Sequence, residues 1–157
     1  YKTPSGAKVQ TTLANQLALY VIIFSPLQMA SDLPENYEGK PEFQFIKDVP
    51  CIWSDTKVLD SKIGEYTTIA RKDWDEKNWY LGSITNRNAR DLKVALSFLD
   101  NDKEYEAEIY ADGEGANYRT NPYPVTISKQ KVNNKTVLNI KLAAGGGTAV
   151  KFTPIEK

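Results

Sequence analysis

Apolar and polar positions change their rhythm once along this chain, near Pro50. Ahead of it Leu13, Ala14, Leu17, Ala18, Tyr20, Val21, Ile22, Ile23 and Phe24 predict a helix from about Thr11 to Phe24. Thr11 or Thr12 can cap its start by accepting a backbone N–H hydrogen bond, and Pro26 ends it. Leu27 to Ala30 then predicts a short buried strand. Glu42 to Asp48 predicts a second helix with Pro41 in its first turn, where a missing N–H does no harm. The first helix is apolar on nearly every face and so expects packing partners all round. Few are in sight. With Tyr1 rather than Met at its head, the expectation is the C-terminal piece of a larger chain.

After Pro50 the period is two, as strands with one buried face require. Thr56 to Asp60 is a first strand. Glu65 to Arg71 and Trp79 to Ile84 form a hairpin across the polar turn Lys72 to Asn78. Leu92, Val94, Leu96 and Phe98 alternate with Lys93, Ala95 and Ser97, and the turn Asp100-Asn101-Asp102 leads to Tyr105, Ala107 and Ile109, which reads as a second hairpin. Val125 to Lys131, Lys135 to Leu142 through an Asn133-Asn134 turn, and Thr148 to Pro154 complete the set, the last after Gly145-Gly146-Gly147, a tight bend between edge strands. The expected fold is therefore mainly β: an antiparallel, jelly-roll-like β-sandwich of about eight strands behind a short helical segment.

Composition narrows the chemistry. Twenty basic residues balance twenty acidic ones, so nothing marks a nucleic-acid or anionic-membrane partner. The apolar run Leu17 to Phe24 falls short of the roughly 20 residues that span a bilayer, and it lacks the flanks of a signal peptide. Cys51 has no second cysteine to pair with. Histidine is absent, which removes the commonest general base, the commonest zinc ligand and every Ser-His or Cys-His nucleophile. Carboxylate chemistry and oxygen-ligated cations stay open.

The segments Gln16 to Val21, Ser25 to Ala30, Asp32 to Tyr37, Phe43 to Val49 and Tyr110 to Gly113 resemble glycoside hydrolase family 97, and the strand-rich half is similar to that family's C-terminal domain down to its glycine-rich bend. The family comprises bacterial α-glucosidases and α-galactosidases with an N-terminal β-sandwich, a (β/α)8 barrel and a C-terminal β-sandwich. The resemblance implies that residues 1–50 are the end of the catalytic barrel and 51–157 the C-terminal sandwich. Thr11 to Phe24 would be the last-but-one barrel helix, Leu27 to Ala30 the eighth strand and Phe43 to Val49 the closing helix. A whole barrel needs about 250 residues, more than the 157 present. The family's catalytic carboxylates and calcium ligands match nothing in this stretch and belong upstream. The chain itself is then expected to be non-catalytic and without a cofactor. Its role is structural, against the barrel of a parent that cleaves terminal α-glucosides in preference to α-galactosides, with subunit contact as a further role. A periplasmic location is implied by the family alone.

By the same resemblance Gln28, Ser31 and Asp32, at the end of a barrel strand, would flank the parent's sugar pocket. On local grounds Ser31 and Asp32 cap a turn. Glu35 and Glu38 read as a solvated connection, although a free-standing enzyme would need them or Asp32 as its acid and base. Asp100 to Glu104 opens like a calcium loop, but Tyr105 and Ala111 stand where an EF-hand has its glycine and glutamate. Asp112, Glu114 and Asn117 offer oxygens around two glycines and read first as a surface turn. Trp74 and Trp79 are the one aromatic pair suited to stacking on a sugar, which would make this a carbohydrate-binding module; Trp79 and Tyr80, being adjacent on a strand, point to opposite sides. Trp53 is expected to wedge between helices and sandwich. An interaction module would instead self-associate through apolar surface left bare.

Overall fold

A computed structural model describes residues 9–30 and 33–155. Those residues form α1 (Leu13–Ile22), a 3-10 turn at Pro34–Asn36, α2 (Phe43–Asp48) and eight strands: β1 (Trp53–Lys62), β2 (Tyr66–Asp73), β3 (Trp79–Thr85), β4 (Arg90–Ala95), β5 (Tyr105–Asp112), β6 (Val125–Val132), β7 (Val137–Leu142) and β8 (Gly147–Pro154). Six strands make one antiparallel sheet in the order β1-β2-β3-β8-β5-β6, and β4 and β7 make a second. The sandwich is thus lopsided, six strands against two.

Period-two alternation sends successive side chains to opposite faces of the large sheet, and both faces are covered. On one face Trp79, Leu81, Ala107, Val150 and Phe152 pack under β4 and β7, which contribute Val94, Leu138, Ile140 and Leu142. Phe98 meets Trp79 and Phe152 at ring-centroid distances of 5.0 and 5.7 Å. On the other face Tyr80, Tyr110 and Ala149 pack against Leu17, Ala18 and Val21 of α1 and Phe45 of α2. The result is three layers.

α1 lies close to the sheet because its bed has almost no side chains. A Cβ on Gly82 would stand 2.7 Å from the Ala18 carbonyl oxygen, and one on Gly147 would stand 2.5 Å from the Asn15 Cα. The helix presents Ala14 and Ala18, both fully buried, to this bed.

Three local expectations are corrected. Leu27 to Ala30 forms no strand, and Leu27 and Met29 are 73% and 76% exposed; a strand needs a paired neighbour, and none of the described residues pairs with this segment. Leu92 to Phe98 and Tyr105 to Ile109 are not a hairpin: β4 pairs with β7, and β5 with β6 and β8. The Asp100-Asn101-Asp102 turn carries the chain from one sheet to the other, as does the Asn133-Asn134 turn between β6 and β7. The glycine bend does not join edge strands either, for β8 sits at the centre of the large sheet.

Candidate functional site

The start of α1 is bound into the sandwich by a carboxylate one hundred residues away in sequence. Thr12 caps the helix, its Oγ1 accepting from the Asn15 backbone N–H at 3.2 Å. The same hydroxyl donates to Asp112 Oδ1 at 2.5 Å. Asp112 Oδ2 accepts from the backbone N–H groups of Ala143 at 2.8 Å and Gly147 at 3.0 Å, which fixes the glycine bend. The Thr12 N–H donates to the Gly145 carbonyl, the Leu13 N–H to Pro122 and Asn15 Nδ2 to Gly146. Burial raises the Asp112 carboxyl above its ordinary value, and the hydrogen bonds from Thr12, Ala143 and Gly147 pull the other way.

At the other end of α1, Arg71 of β2 is 6% exposed. Its guanidinium lies between the rings of Phe24 and Trp53, 5.4 and 5.8 Å from their centroids. It donates to Thr56 Oγ1 at 3.2 Å and to the Ile22 carbonyl, at the negative end of the helix, at 3.3 Å. Burial lowers its pKa. Trp53 also meets Tyr80 edge-on at 5.6 Å and so fills the junction between helices and sheet. α2 is held by the Tyr80 hydroxyl, which donates to the Asp48 carbonyl at 2.9 Å, and by Lys151 paired with the Asp48 carboxylate at 2.7 Å. Burial raises the phenols of Tyr80 and Tyr110.

The helical layer buries one side and bares the other. Ile23, Phe24, Leu27, Met29 and Leu33 are each more than half exposed along the end of α1 and the loop after it. Beside them a cleft of about 450 Å³ opens between α1, the 36–46 segment and Tyr123, with Leu13, Tyr20, Tyr37 and Phe43 in its walls. Tyr37 stacks on Phe43 at 4.6 Å. The cleft mixes apolar and aromatic walls with Gln16, Asn36 and Lys40, and among the described residues Glu42 is the one carboxylate along it. That lining suits packing rather than hydrolysis, which needs a pair.

Each residue singled out from sequence has a place. Gln28 donates from Nε2 to the Ile23 carbonyl at 3.0 Å and so caps the end of α1. Ser31 and Asp32 lie outside the described residues. Glu35 and Glu38 are exposed and do not line the cleft. Trp79 is 2% exposed, under Phe98 and beside the ammonium groups of Lys57 and Lys72, whereas Trp74 is 67% exposed. The expected stacking pair is therefore not a pair: strand alternation turns Trp79 into the sandwich, and Trp74 stands on the turn ahead of that strand. Among the described residues no three Asp, Glu or Cys side chains converge on a metal position. Asp112 is not a free turn carboxylate: its oxygens accept from Thr12, Ala143 and Gly147. No helix among the described residues is long and apolar enough to cross a membrane. Arg71 escaped the sequence reading because its partners, a helix-end carbonyl and two rings, come from separate elements.

Comparison with known proteins gives a consistent picture. Residues 52–153 match the family described as glycosyl-hydrolase 97 C-terminal, oligomerisation. A retaining alpha-galactosidase of Bacteroides thetaiotaomicron is 42% identical over 97% of this chain and 22% of its own length. The solved structure of a glycoside hydrolase family 97 enzyme from Pseudoalteromonas sp. strain K8, in complex with acarbose, superposes with a TM-score of 0.92 at 47% identity, covering 95% of this chain and 23% of that one. A beta-arabinopyranosidase structure superposes at 0.75 with 25% identity over 93% of this chain and 22% of its own. The chain thus spans under a quarter of the length of these relatives.

Proposed function

The chain belongs to glycoside hydrolase family 97, matching its C-terminal oligomerisation domain, and from that premise we propose that it serves as the non-catalytic flank of an α-glycosidase. In this reading the helical layer seats against the catalytic barrel of the parent, and the sandwich joins one parent to another. The observation that carries it is the strip Ile23, Phe24, Leu27, Met29 and Leu33, each more than half exposed along the end of α1 and the loop after it. A strip of that kind favours a protein partner over water. Removing its surface from solvent is worth about 25 cal/mol per Å². The names of the relatives divide between a galactosidase and an acarbose complex, so the substrate proposed for the parent is a terminal α-glycoside. The periplasmic location expected from the family is part of the same proposal, and fractionation of the producing cells tests it.

Two measurements test the reading. Aryl α-glucosides and α-galactosides offered to the 157-residue protein, with an Asp32→Ala variant beside it, are expected to stay intact. Turnover that disappears in the variant would overturn the non-catalytic assignment. The protein is also expected to bind a Pseudoalteromonas family 97 enzyme stripped of its equivalent C-terminal region, and a Leu27→Ser/Met29→Ser form to bind it at least about tenfold more weakly. Equal binding by that form would move the barrel contact elsewhere.

A further inference from the structure

We infer that the tip of the β1–β2 hairpin is the surface through which two copies of this chain associate, each Ile63 seated against the hollow beside the other's turn. This rests on the self-association reading above and names the surface that carries it. The oligomerisation family matches residues 52–153 only, so its contact surface is to be sought on the sandwich, not on the bare strip of the helical layer. Within that range Ile63 is fully exposed, and Val58 on the same hairpin is 63% exposed.

The local backbone does not ask for an isoleucine there. The Glu65 N–H donates to the Lys62 carbonyl at 2.9 Å, and Gly64 has φ +77°, the signature of a tight turn with glycine in its third place. The second place of such a turn is best filled by proline and gains nothing from a bulky β-branched side chain. Beside this knob, with Ile63 itself on its rim, lies a shallow groove of about 430 Å³ walled by Ser61, Tyr66, Thr67 and Ile84, the last of which also packs on the core beneath α1. Knob and hollow on one hairpin make a self-complementary patch, the requirement of a two-fold contact. Lys62 and Glu65 flank the turn, paired at 2.5 Å, and Glu65 also pairs with Arg90 at 2.7 Å, so charge rims the apolar tip.

Ladder pairing of two β1 edges is the obvious alternative for a second copy, and β1 is built against it. Its register slips between Trp53 and Asp55 and again between Val58 and Asp60, and Asp55, Lys57, Asp60 and Lys62 line it with charge. Bulges and charges of this kind blunt an edge strand. The contact falls instead to side chains at the tip.

Sedimentation equilibrium on the 157-residue protein decides the matter. The wild type is expected to dimerise, and Ile63→Asp and Thr67→Arg each to raise the dissociation constant by about tenfold or more, the loss expected of a central contact. Val137→Asp, at an exposed position on β7 in the other sheet, is expected to leave it unchanged. Circular dichroism on each variant separates lost contact from lost fold. A wild-type dimer that tolerates both hairpin changes, or that weakens equally with Val137→Asp, would overturn the hairpin assignment and leave self-association standing. A wild type that stays monomeric at every concentration would overturn the self-association reading itself, and the hairpin with it.

Discussion

Gly82 of β3 lies directly across the ladder from Ala149 of β8, and the two form a floor so shallow that the Ala18 carbonyl of α1 rests where a side chain at Gly82 would be. The first prediction follows from that contact. In Gly82→Ala the new methyl meets backbone oxygen at 2.7 Å and the Ile22 side chain at 2.9 Å. Backbone cannot rotate away, so α1 must lift. The expected loss is about 1–3 kcal/mol, read from urea unfolding, with faster hydrogen exchange confined to α1. A variant as stable as the wild type would mean that α1 is not seated as described.

Asp112 joins α1, the glycine bend and β5 through two oxygens. Asp112→Ala leaves the Ala143 and Gly147 N–H groups without their acceptor and removes the bond from Thr12. Each stranded donor costs on the order of 1–3 kcal/mol, so a total near 3 kcal/mol is expected. Thr12→Ala should cost about 1 kcal/mol as the loss of a cap. The double variant should lose less than the sum, because one bond is counted in both. Strict additivity in a double-mutant cycle would contradict the Thr12–Asp112 link.

Trp53 covers Tyr80 on one side and Arg71 on the other. Trp53→Ala is expected to cost about 3 kcal/mol as a cavity at the junction, and to loosen α1 and β1 together. Equal stability, with both parts still docked, would remove the wedge role.

Three buried phenols set the alkaline limit of the fold. Burial, with Asp100 close by, pushes Tyr105 up to about 12, and burial raises Tyr80 and Tyr110 as well. An unfolded tyrosine titrates near 10. Between that value and the higher folded one the native state holds more protons than the unfolded chain. Stability is therefore complete below about pH 10 and falls as pH rises beyond it. Urea midpoints taken at pH 8, 10 and 11 should fall over the last interval, and less steeply in Tyr105→Phe. A flat profile would mean that the phenols are open to solvent.

How far the sequence could be read depends on what each strand faces. β4 and β7 have one wet face, so Lys93 against Val94 and Asn139 against Ile140 alternate openly. β3 and β8 are covered on both faces, and their small residues Gly82, Gly147 and Ala149 look like weak strand formers until α1 is laid over them. Strand positions were legible, but partners were not. The turns at Asp100 to Asp102 and Asn133 to Asn134 use the residues of a hairpin while crossing between sheets, and turn chemistry alone does not say which. Leu27 to Ala30 carries a strand's composition without a strand's neighbour. The Thr12–Asp112 contact spans one hundred residues and leaves no local trace. Ile63 did leave a sign, an apolar residue ahead of a turn glycine in a polar hairpin tip.

The large sheet has an order of assembly written into it. β1, β2 and β3 form one panel and β5 and β6 another, and β8, which follows all of them in the chain, is the strand that bonds β3 to β5. During synthesis, then, both panels leave the ribosome with an unpaired edge, and each waits for Gly147 to Pro154 before it can close. A nascent chain stalled or clipped before β8 would hold two aggregation-prone half-sheets in place of one domain.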